Sequence, residues 1–152
     1  MARPNTIKSD YSHLCEIPTR WEDNDQYGHI NNTVYLSFFD TAVNTYLIGK
    51  NALDIQNGEV VGYVVETSIK YFAPLAFPET VTAGLRVNSI GRTSVTYGVA
   101  LFAEGHEDGD CQPAAEGIFT HVYVDRKTEK PAPIPENLRK ALEGLAPSVI
   151  AP

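Results

Sequence analysis

The densest run of reactive side chains lies between Asp23 and Asn32, within RWEDNDQYGHINN. Two carboxylates, Asp23 and Asp25, are followed there by Gly28, His29 and two asparagines. A carboxylate can attack a carbonyl carbon or take a proton from water, and a histidine can polarise or orient the reacting group. Acids gathered beside an apolar segment are often catalytic. The run therefore predicts hydrolytic chemistry.

Two other interpretations of this run compete with catalysis. A calcium-binding loop that starts at Asp23 would need oxygen ligands at its fifth and twelfth positions, but Tyr27 and Val34 stand there, so calcium binding is rejected. A simple helix-capping loop would use Asn31 or Asn32 as the cap. Capping accounts for the asparagines, but a cap requires neither a pair of carboxylates nor a histidine.

A helix that begins after this run would supply the remaining chemistry. The first backbone N–H groups of a helix are unpaired, so they can hold a developing oxyanion. Asp25 would then act as base or nucleophile, the N–H near Asn32 would donate to the oxyanion, and His29 would polarise or orient. This arrangement suits acyl transfer.

The segment Val34–Ile48 predicts that helix, with Gly49 as its C-terminal stop. Apolar residues cover most of its circumference, so we expect it to be largely buried. The polar stripe that remains consists of Ser37, Asp40, Thr41 and Asn44. Asp40 is more typical of a structural hydrogen-bond acceptor than of a second acid.

Period-two patterns predict five strands. His13–Trp21 precedes the helix, and four segments follow it near 61–71, 81–87, 95–101 and 118–124. Pairing between consecutive strands is the simplest topology. A short amphipathic helix begins at Pro135 and carries Leu138, Leu142 and Leu145 on one face. We expect an α+β fold in which a five-stranded antiparallel sheet wraps one long central helix, as a single domain over 1–152 with a core of about 14–135.

Charge and composition exclude several classes of protein. Nineteen acidic against twelve basic residues give a net charge of −7, which argues against a nucleic-acid partner. Every apolar run is interrupted well short of the ~20 residues of a membrane span. Cys15 and Cys111 lack metal-ligand spacing, and residues 1–18 contain no apolar signal segment, so we expect free thiols and a cytoplasmic protein. No metal and no cofactor are predicted.

The pattern D-x-D-x-x-G-H-x-N-N-x-x-Y, leading into an apolar helix, resembles hotdog-fold acyl-CoA thioesterases of the 4-hydroxybenzoyl-CoA thioesterase-like family. Its residues here are Asp23, Asp25, Gly28, His29, Asn31, Asn32 and Tyr35. The resemblance extends from about Leu14 to Pro135, and the order of predicted elements agrees with it.

The resemblance implies hydrolysis of an acyl-CoA thioester, with Asp25 as the catalytic aspartate and an oxyanion-donor N–H at Asn32. It further implies a homodimer or homotetramer whose substrate lies in a groove at the dimer interface. Basic surface residues would hold the CoA phosphates. The candidate substrate-binding residues are Tyr35, Thr67, Ser68, Arg92 and Arg126.

The same pattern leaves alternatives open. Members closest to the 4-hydroxybenzoyl-CoA enzyme have apolar residues where His29, Asn31 and Asn32 stand, so aromatic specificity is not implied. The pattern also resembles plant acyl-carrier-protein thioesterases, although these have an asparagine where Tyr27 stands. A carrier-protein thioesterase, a non-hydrolytic acyl-CoA-binding hotdog protein and a hotdog dehydratase remain alternatives.

Overall fold

Five strands and one long helix form most of the chain in the computed structural model, which describes residues 3–146. In chain order the elements are β1 (His13–Pro18), α1 (Val34–Gly49), β2 (Val60–Tyr71), β3 (Thr80–Ile90), β4 (Ser94–Phe102), β5 (Ala115–Asp125) and α2 (Glu136–Glu143). Short 3-10 helices cover Lys8–Asp10 and Trp21–Asp23. The predicted α+β arrangement of a five-stranded antiparallel sheet, a long helix and a short C-terminal helix is confirmed.

The strands are ordered β1-β3-β4-β5-β2 in one antiparallel sheet. The prediction of consecutive pairing is correct for β3, β4 and β5 and wrong for β1, which pairs with β3, and for β2, which pairs with β5 at the far edge. The physical reason is that β1 and β2 run parallel to each other, and parallel strands need a long crossover connection that usually contains a helix. The first turn of α1 lies beside the end of β2, where Tyr35 packs against Tyr71, and its last turns lie beside β1, where Tyr46 packs against His13. The loop after α1 then leads to the start of β2.

One face of α1 is buried against the sheet. Its buried residues are Tyr35, Phe38, Phe39, Ala42, Val43, Tyr46 and Leu47. The predicted polar stripe faces outward, since Ser37, Asp40 and Thr41 are exposed. Leu36 and Ile48 are 38% and 52% exposed, so the expected near-complete burial is wrong for these two residues within one chain.

The C-terminal end of α1 differs from the prediction by a few residues. Gly49 does not stop the helix but is its last residue, and Lys50 caps it with its N–H directed at the carbonyl oxygens of Tyr46 and Ile48. Asn51 takes the left-handed conformation, with φ of +53°. Asparagine tolerates this conformation better than most residues, so Asn51 makes the turn expected of the glycine.

Close packing between α1 and the sheet depends on Gly117 in β5. A Cβ at this position would lie 2.9 Å from a ring carbon of Phe39 and would overlap the Ser68 carbonyl oxygen. Phe39 is fully buried beneath this glycine. The helix can approach the sheet this closely because position 117 has no side chain.

Two short segments complete the packing. Leu138, Leu142 and Leu145 join the main core. Pro135, predicted as the first helical residue, is the N-cap of α2, which begins one position later at Glu136. Tyr11 packs against Phe102 on the opposite face of the sheet. Residues 1, 2 and 147–152 of the predicted domain lie outside the described residues. Within 3–146, no helix has the length and hydropathy needed to cross a membrane.

Two glycine-to-alanine substitutions test this packing. Gly117→Ala is expected to lower the free energy of unfolding by about 2–3 kcal/mol, because a methyl group overpacks the contact between Phe39 and the sheet. Gly49→Ala is the matched control, because its Cβ would meet nothing within 4 Å. Since alanine is the better helix former, that variant should gain up to about 1 kcal/mol. Urea unfolding would measure both, and equal stabilities would contradict the role of Gly117.

Candidate active site

The reactive run folds into a tight turn in front of α1. Asn24 and Ile30 pair as an isolated antiparallel bridge. Inside it the Asp25 N–H donates to the His29 carbonyl at 2.9 Å, and the Gly28 N–H donates to the Asp25 carbonyl at 3.1 Å. Gly28 has φ of +79°, which few residues other than glycine adopt readily. The turn places the backbones of Asp25 and His29 side by side.

Asp23 is a structural residue. Its side chain is only 1% exposed and accepts hydrogen bonds from the Arg20 backbone N–H at 2.7 Å and from the Arg20 guanidinium at 2.9 Å. Its carbonyl accepts from the Asn31 N–H at 2.9 Å. These bonds occupy both carboxylate oxygens, so Asp23 supports the turn rather than facing a substrate.

Asp25 differs from Asp23 in what its carboxylate contacts. The side chain is half-buried, and its Oδ1 accepts from the Tyr27 N–H at 2.8 Å. Within residues 3–146, Oδ2 has no hydrogen-bond donor. Of the two aspartates, Asp25 therefore has a fixed side chain with one oxygen available to accept a proton or attack a carbonyl.

The start of α1 leaves one backbone donor free. The Asn31 side chain accepts from the Thr33 N–H at 2.9 Å, and the Asn31 carbonyl accepts from the Val34 N–H. The N-cap residue of α1 is Thr33, which makes no side-chain cap bond, so the interpretation of Asn31 or Asn32 as the cap is wrong. Among the described residues, the Asn32 N–H has no acceptor. Asn32 is exposed, so this N–H is available to a ligand.

A groove of about 280 Å³ opens beside this donor. It is lined by His29, Ile30, Asn32, Tyr35, Tyr71, Phe72, Ala73 and Pro74. The lining is mostly apolar apart from His29 and the Asn32 backbone, as expected where an acyl group meets a reacting centre. Asp25 is not among the lining residues and adjoins the groove through its backbone bond with His29.

The sheet separates Thr67 from Ser68. Thr67 pairs with Phe119, whose ring is buried on the helix side, whereas Ser68 pairs with Ile118. Successive strand residues point to opposite faces, so the two cannot line one site within a single chain. Ser68 instead lines a separate polar groove with Arg86 on the outer face.

The two candidate phosphate-binding arginines lie far from this groove. Arg126 follows β5, about 36 Å along that strand from Ala115, which pairs with Tyr71. Its guanidinium donates to the carbonyl oxygens of Ile55 at 2.8 Å and Gly58 at 2.7 Å. Arg92 lies exposed in the β3–β4 hairpin, where the carbonyl of the next residue, Thr93, accepts from the Tyr123 N–H near the same end of β5. One chain therefore does not bring either arginine to the start of α1.

The structure also reveals a buried polar cluster that the sequence analysis did not identify. His121 is only 6% exposed and packs against the rings of Tyr97, Phe119 and Tyr123. Within the described residues, the hydroxyls of Tyr97 and Tyr123 lack a hydrogen bond of good geometry. Burial lowers the pKa of His121, and the carboxylate of Asp40 opposes this with a smaller upward effect.

Comparison with known proteins agrees with this geometry. The sequence profile of the thioesterase-like superfamily matches residues 19–142, which include the reactive turn, α1 and most of the sheet. The chain belongs to the thioesterase-like superfamily. The predictions of a hotdog thioesterase fold and of a thioester hydrolase are thereby confirmed, whereas the individual site residues stay predictions.

Three similar proteins illustrate this membership. The PA5185 protein from Pseudomonas aeruginosa strain PAO1 is 50% identical, with a TM-score of 0.89 over 98% of this chain and 100% of that one. The long-chain acyl-CoA thioesterase FadM of Escherichia coli (strain K12) is 26% identical over 84% of this chain and 95% of its own length. The chloroplastic acyl-acyl carrier protein thioesterase ATL2 of Arabidopsis thaliana is 24% identical over 84% of this chain, but only 66% of its own length is covered.

The lowered pKa of His121 predicts how stability depends on pH. Because burial lowers its pKa, His121 binds a proton less readily in the folded protein than in the unfolded chain, where its pKa is close to the ordinary value of about 6.5. Its contribution is therefore complete above that pH and is lost as the pH falls toward the lowered folded pKa. When the pH is lowered from 7.5 to 5.5, we expect the free energy of unfolding to fall less for His121→Phe than for the wild type.

Urea unfolding at both pH values measures this difference. His106→Phe is the control, because His106 is exposed in the β4–β5 loop, and it should keep the wild-type pH dependence. An identical pH dependence in all three proteins would exclude His121 as its source.

Proposed function

We propose that this protein hydrolyses an acyl-CoA thioester to a free acid and CoA at the start of α1. The proposal rests chiefly on the Asn32 N–H, which has no acceptor among residues 3–146 and belongs to a residue that lines an apolar groove. On the adjoining turn, one oxygen of the Asp25 carboxylate has no donor in the same part of the chain. An oxyanion donor and a nearby carboxylate are the two groups that thioester hydrolysis requires.

In the proposed reaction, Asp25 takes a proton from water while the water oxygen bonds to the thioester carbonyl carbon. The carbonyl oxygen becomes an oxyanion that accepts a hydrogen bond from the Asn32 N–H. Collapse of the intermediate breaks the carbon–sulfur bond, and the CoA thiolate takes up the proton. Alternatively, Asp25 attacks the carbon directly, and the carbon–sulfur bond breaks to release the CoA thiolate, which takes up a proton from solvent. Water then hydrolyses the resulting anhydride to the free acid and the Asp25 carboxylate.

His29 and Tyr35 have secondary roles in this proposal. His29 lines the groove and is exposed, so its imidazole can orient the water or polarise the carbonyl. Tyr35 is 3% exposed, and its ring forms part of the groove wall against which an acyl group would pack.

Similarity to FadM, whose name describes a long-chain acyl-CoA thioesterase, supports CoA as the thiol. Similarity to ATL2, whose name describes an acyl-acyl carrier protein thioesterase, favours a carrier-protein thioester as the second candidate. The groove at the start of α1 would serve both substrates, because the reacting thioester is the same. A panel of both thioester types separates them.

We also propose that two copies pair through β2. This strand of 12 residues lies at the edge of the sheet and exposes Tyr63, Val64, Val65 and Tyr71. A long exposed apolar edge strand is normally covered, because its unpaired backbone groups attract another strand. A second copy related by a two-fold axis would supply an antiparallel strand, as a homodimer or as half of a homotetramer.

Such pairing, centred between Val65 and Glu66, would place Tyr71 opposite Val60 of the second copy. The Arg126 N–H donates to the Glu59 carbonyl, so the partner's Arg126 would arrive near the start of α1. This arrangement would bring a basic residue to the phosphates of a bound CoA. Arg92, Thr67 and Ser68 stay candidate contacts from either copy.

We further propose that residues 1–152 form one domain acting in the cytoplasm. Cys15 and Cys111 are both free thiols. Free thiols suit a reducing compartment.

Asp25→Asn tests the catalytic role. We expect kcat to fall by about 100-fold or more across a panel of acyl-CoA and acyl-carrier-protein thioesters, because the amide neither takes up a proton nor attacks. Asp40→Asn is the control and should keep most of its activity, since Asp40 bonds to Asn44 on the outer face of α1. Near wild-type turnover by Asp25→Asn would remove Asp25 from the mechanism.

Binding of acyl-CoA without turnover by the wild type would favour an acyl-binding protein. For an active enzyme, a single turnover in ¹⁸O-labelled water separates the two roles of Asp25. A base leaves the first product oxygen from water and no label on the protein. A nucleophile whose anhydride is hydrolysed at the Asp25 carboxyl carbon leaves an oxygen of Asp25 in the first product and the label on Asp25.

Val64→Glu tests the dimer. Burying a carboxylate at the proposed interface should raise the dimer dissociation constant about 100-fold or more. Ile55→Glu is the control, because Ile55 is exposed in the loop before β2. Sedimentation equilibrium should give a dimer or tetramer for the wild type and the control, and monomers for Val64→Glu at the same concentration. A monomeric wild type would refute the pairing.

A further inference from the structure

Tyr71 ends β2 at the point where that strand reaches the start of α1. Its hydroxyl donates a hydrogen bond to the Asn32 carbonyl oxygen at 3.2 Å, joining residues 39 positions apart. Its ring packs edge-on against Tyr35, with ring centroids 5.0 Å apart. Tyr71 has no step in the proposed reaction, yet it contacts Asn32, the residue that carries the proposed oxyanion donor.

Few other contacts hold Asn32 in place. Its neighbour Asn31 is fixed through the Asp23 carbonyl, but the only other hydrogen bond to Asn32 in residues 3–146 comes from the Tyr35 N–H at 3.4 Å. That distance is longer than usual for a backbone bond. The Tyr71 hydroxyl therefore makes the only side-chain hydrogen bond that restrains Asn32 within the described residues.

The backbone that carries Tyr71 is firmly held. Tyr71 pairs with Ala115 in β5, and the next two N–H groups, of Phe72 and Ala73, both donate to the Ala114 carbonyl at 2.8 and 3.1 Å. The buried Tyr35 ring supports the other side. Because its backbone and ring are held in this way, the Tyr71 hydroxyl can fix the neighbouring backbone segment before a substrate binds.

We propose that Tyr71 is a positioning residue, which orients the Asn32 backbone so that its N–H is aimed at the developing oxyanion. The inference rests on the proposed function, because it assigns Tyr71 a purpose only if the Asn32 N–H is the oxyanion donor. An oriented donor acts most strongly when the transition state forms, since no reorganisation is then needed. Loss of the hydroxyl should therefore lower kcat and leave KM unchanged.

A different role for Tyr71 predicts a different result. Its ring lines the groove, so it could simply contact the acyl group. In that case Tyr71→Phe, which keeps the ring, would change neither kinetic constant. A hydroxyl that bonds the bound substrate would instead raise KM.

Tyr71→Phe tests the proposal in the full-length protein, with Tyr27→Phe as the matched control. Tyr27 lies in the same turn region and is exposed, and the structure gives its hydroxyl no hydrogen bond within residues 3–146. We expect kcat of Tyr71→Phe to fall about tenfold, with KM within about twofold and an unchanged melting temperature. The control should match the wild type. Unchanged kcat, or a loss confined to KM, would overturn the proposal.

Amide hydrogen exchange provides a readout that does not depend on turnover. Peptides covering 31–35 should exchange several-fold faster in Tyr71→Phe than in the wild type or Tyr27→Phe, because the first turn of α1 loses a restraint. Equal exchange in all three proteins would overturn the proposal even if the wild type hydrolyses none of the thioesters. A wild type that is active and requires Asp25, combined with a fully normal Tyr71→Phe, would refute this inference and leave the proposed function standing.

Discussion

Burial of one face of α1 against the sheet is the interaction on which the rest of the structure depends. The fully buried Phe39 meets the sheet at Gly117, where any side chain would hold the helix away. Each large apolar side chain that is fully buried contributes about 1.5–3 kcal/mol, so this interface outweighs any single polar contact in the chain. Because the helix is fixed along its length, the position of its first turn is fixed as well.

The chemistry follows from that fixed first turn. Asp23 and Asn31 use their polar groups to hold the preceding turn together, and their bonds leave the Asn32 N–H and one oxygen of Asp25 without partners in the described part of the chain. The polar groups of the run thus fall into two sets: those that hold the turn together and those that remain available to a substrate. A structural role and a catalytic role for the run are therefore compatible, because different residues would serve each.

The connection from β1 to β2, which contains α1, also determines which residues one chain can bring to the site. It leaves β2 at an edge of the sheet, where several apolar residues of the strand are exposed and its last residue, Tyr71, contacts Asn32. Arg126 lies at the opposite end of the neighbouring strand. One chain therefore does not bring Arg126 to the start of α1.

The sequence by itself determined the element types, their approximate bounds, the reactive turn and the family, because period-two and helical patterns, turn residues and a spaced motif are all local signals. Only the tertiary structure decided that β2 pairs with β5, that Thr67 rather than Ser68 lies on the helix side of the sheet, that Arg126 binds the carbonyls of Ile55 and Gly58, and that Tyr71 contacts Asn32. These outcomes depend on where the connection from β1 to β2 places the chain and on the register of β2 with β5. A contact between residues 39 positions apart cannot be predicted from local periodicity, because it depends on packing and strand register across the whole sheet.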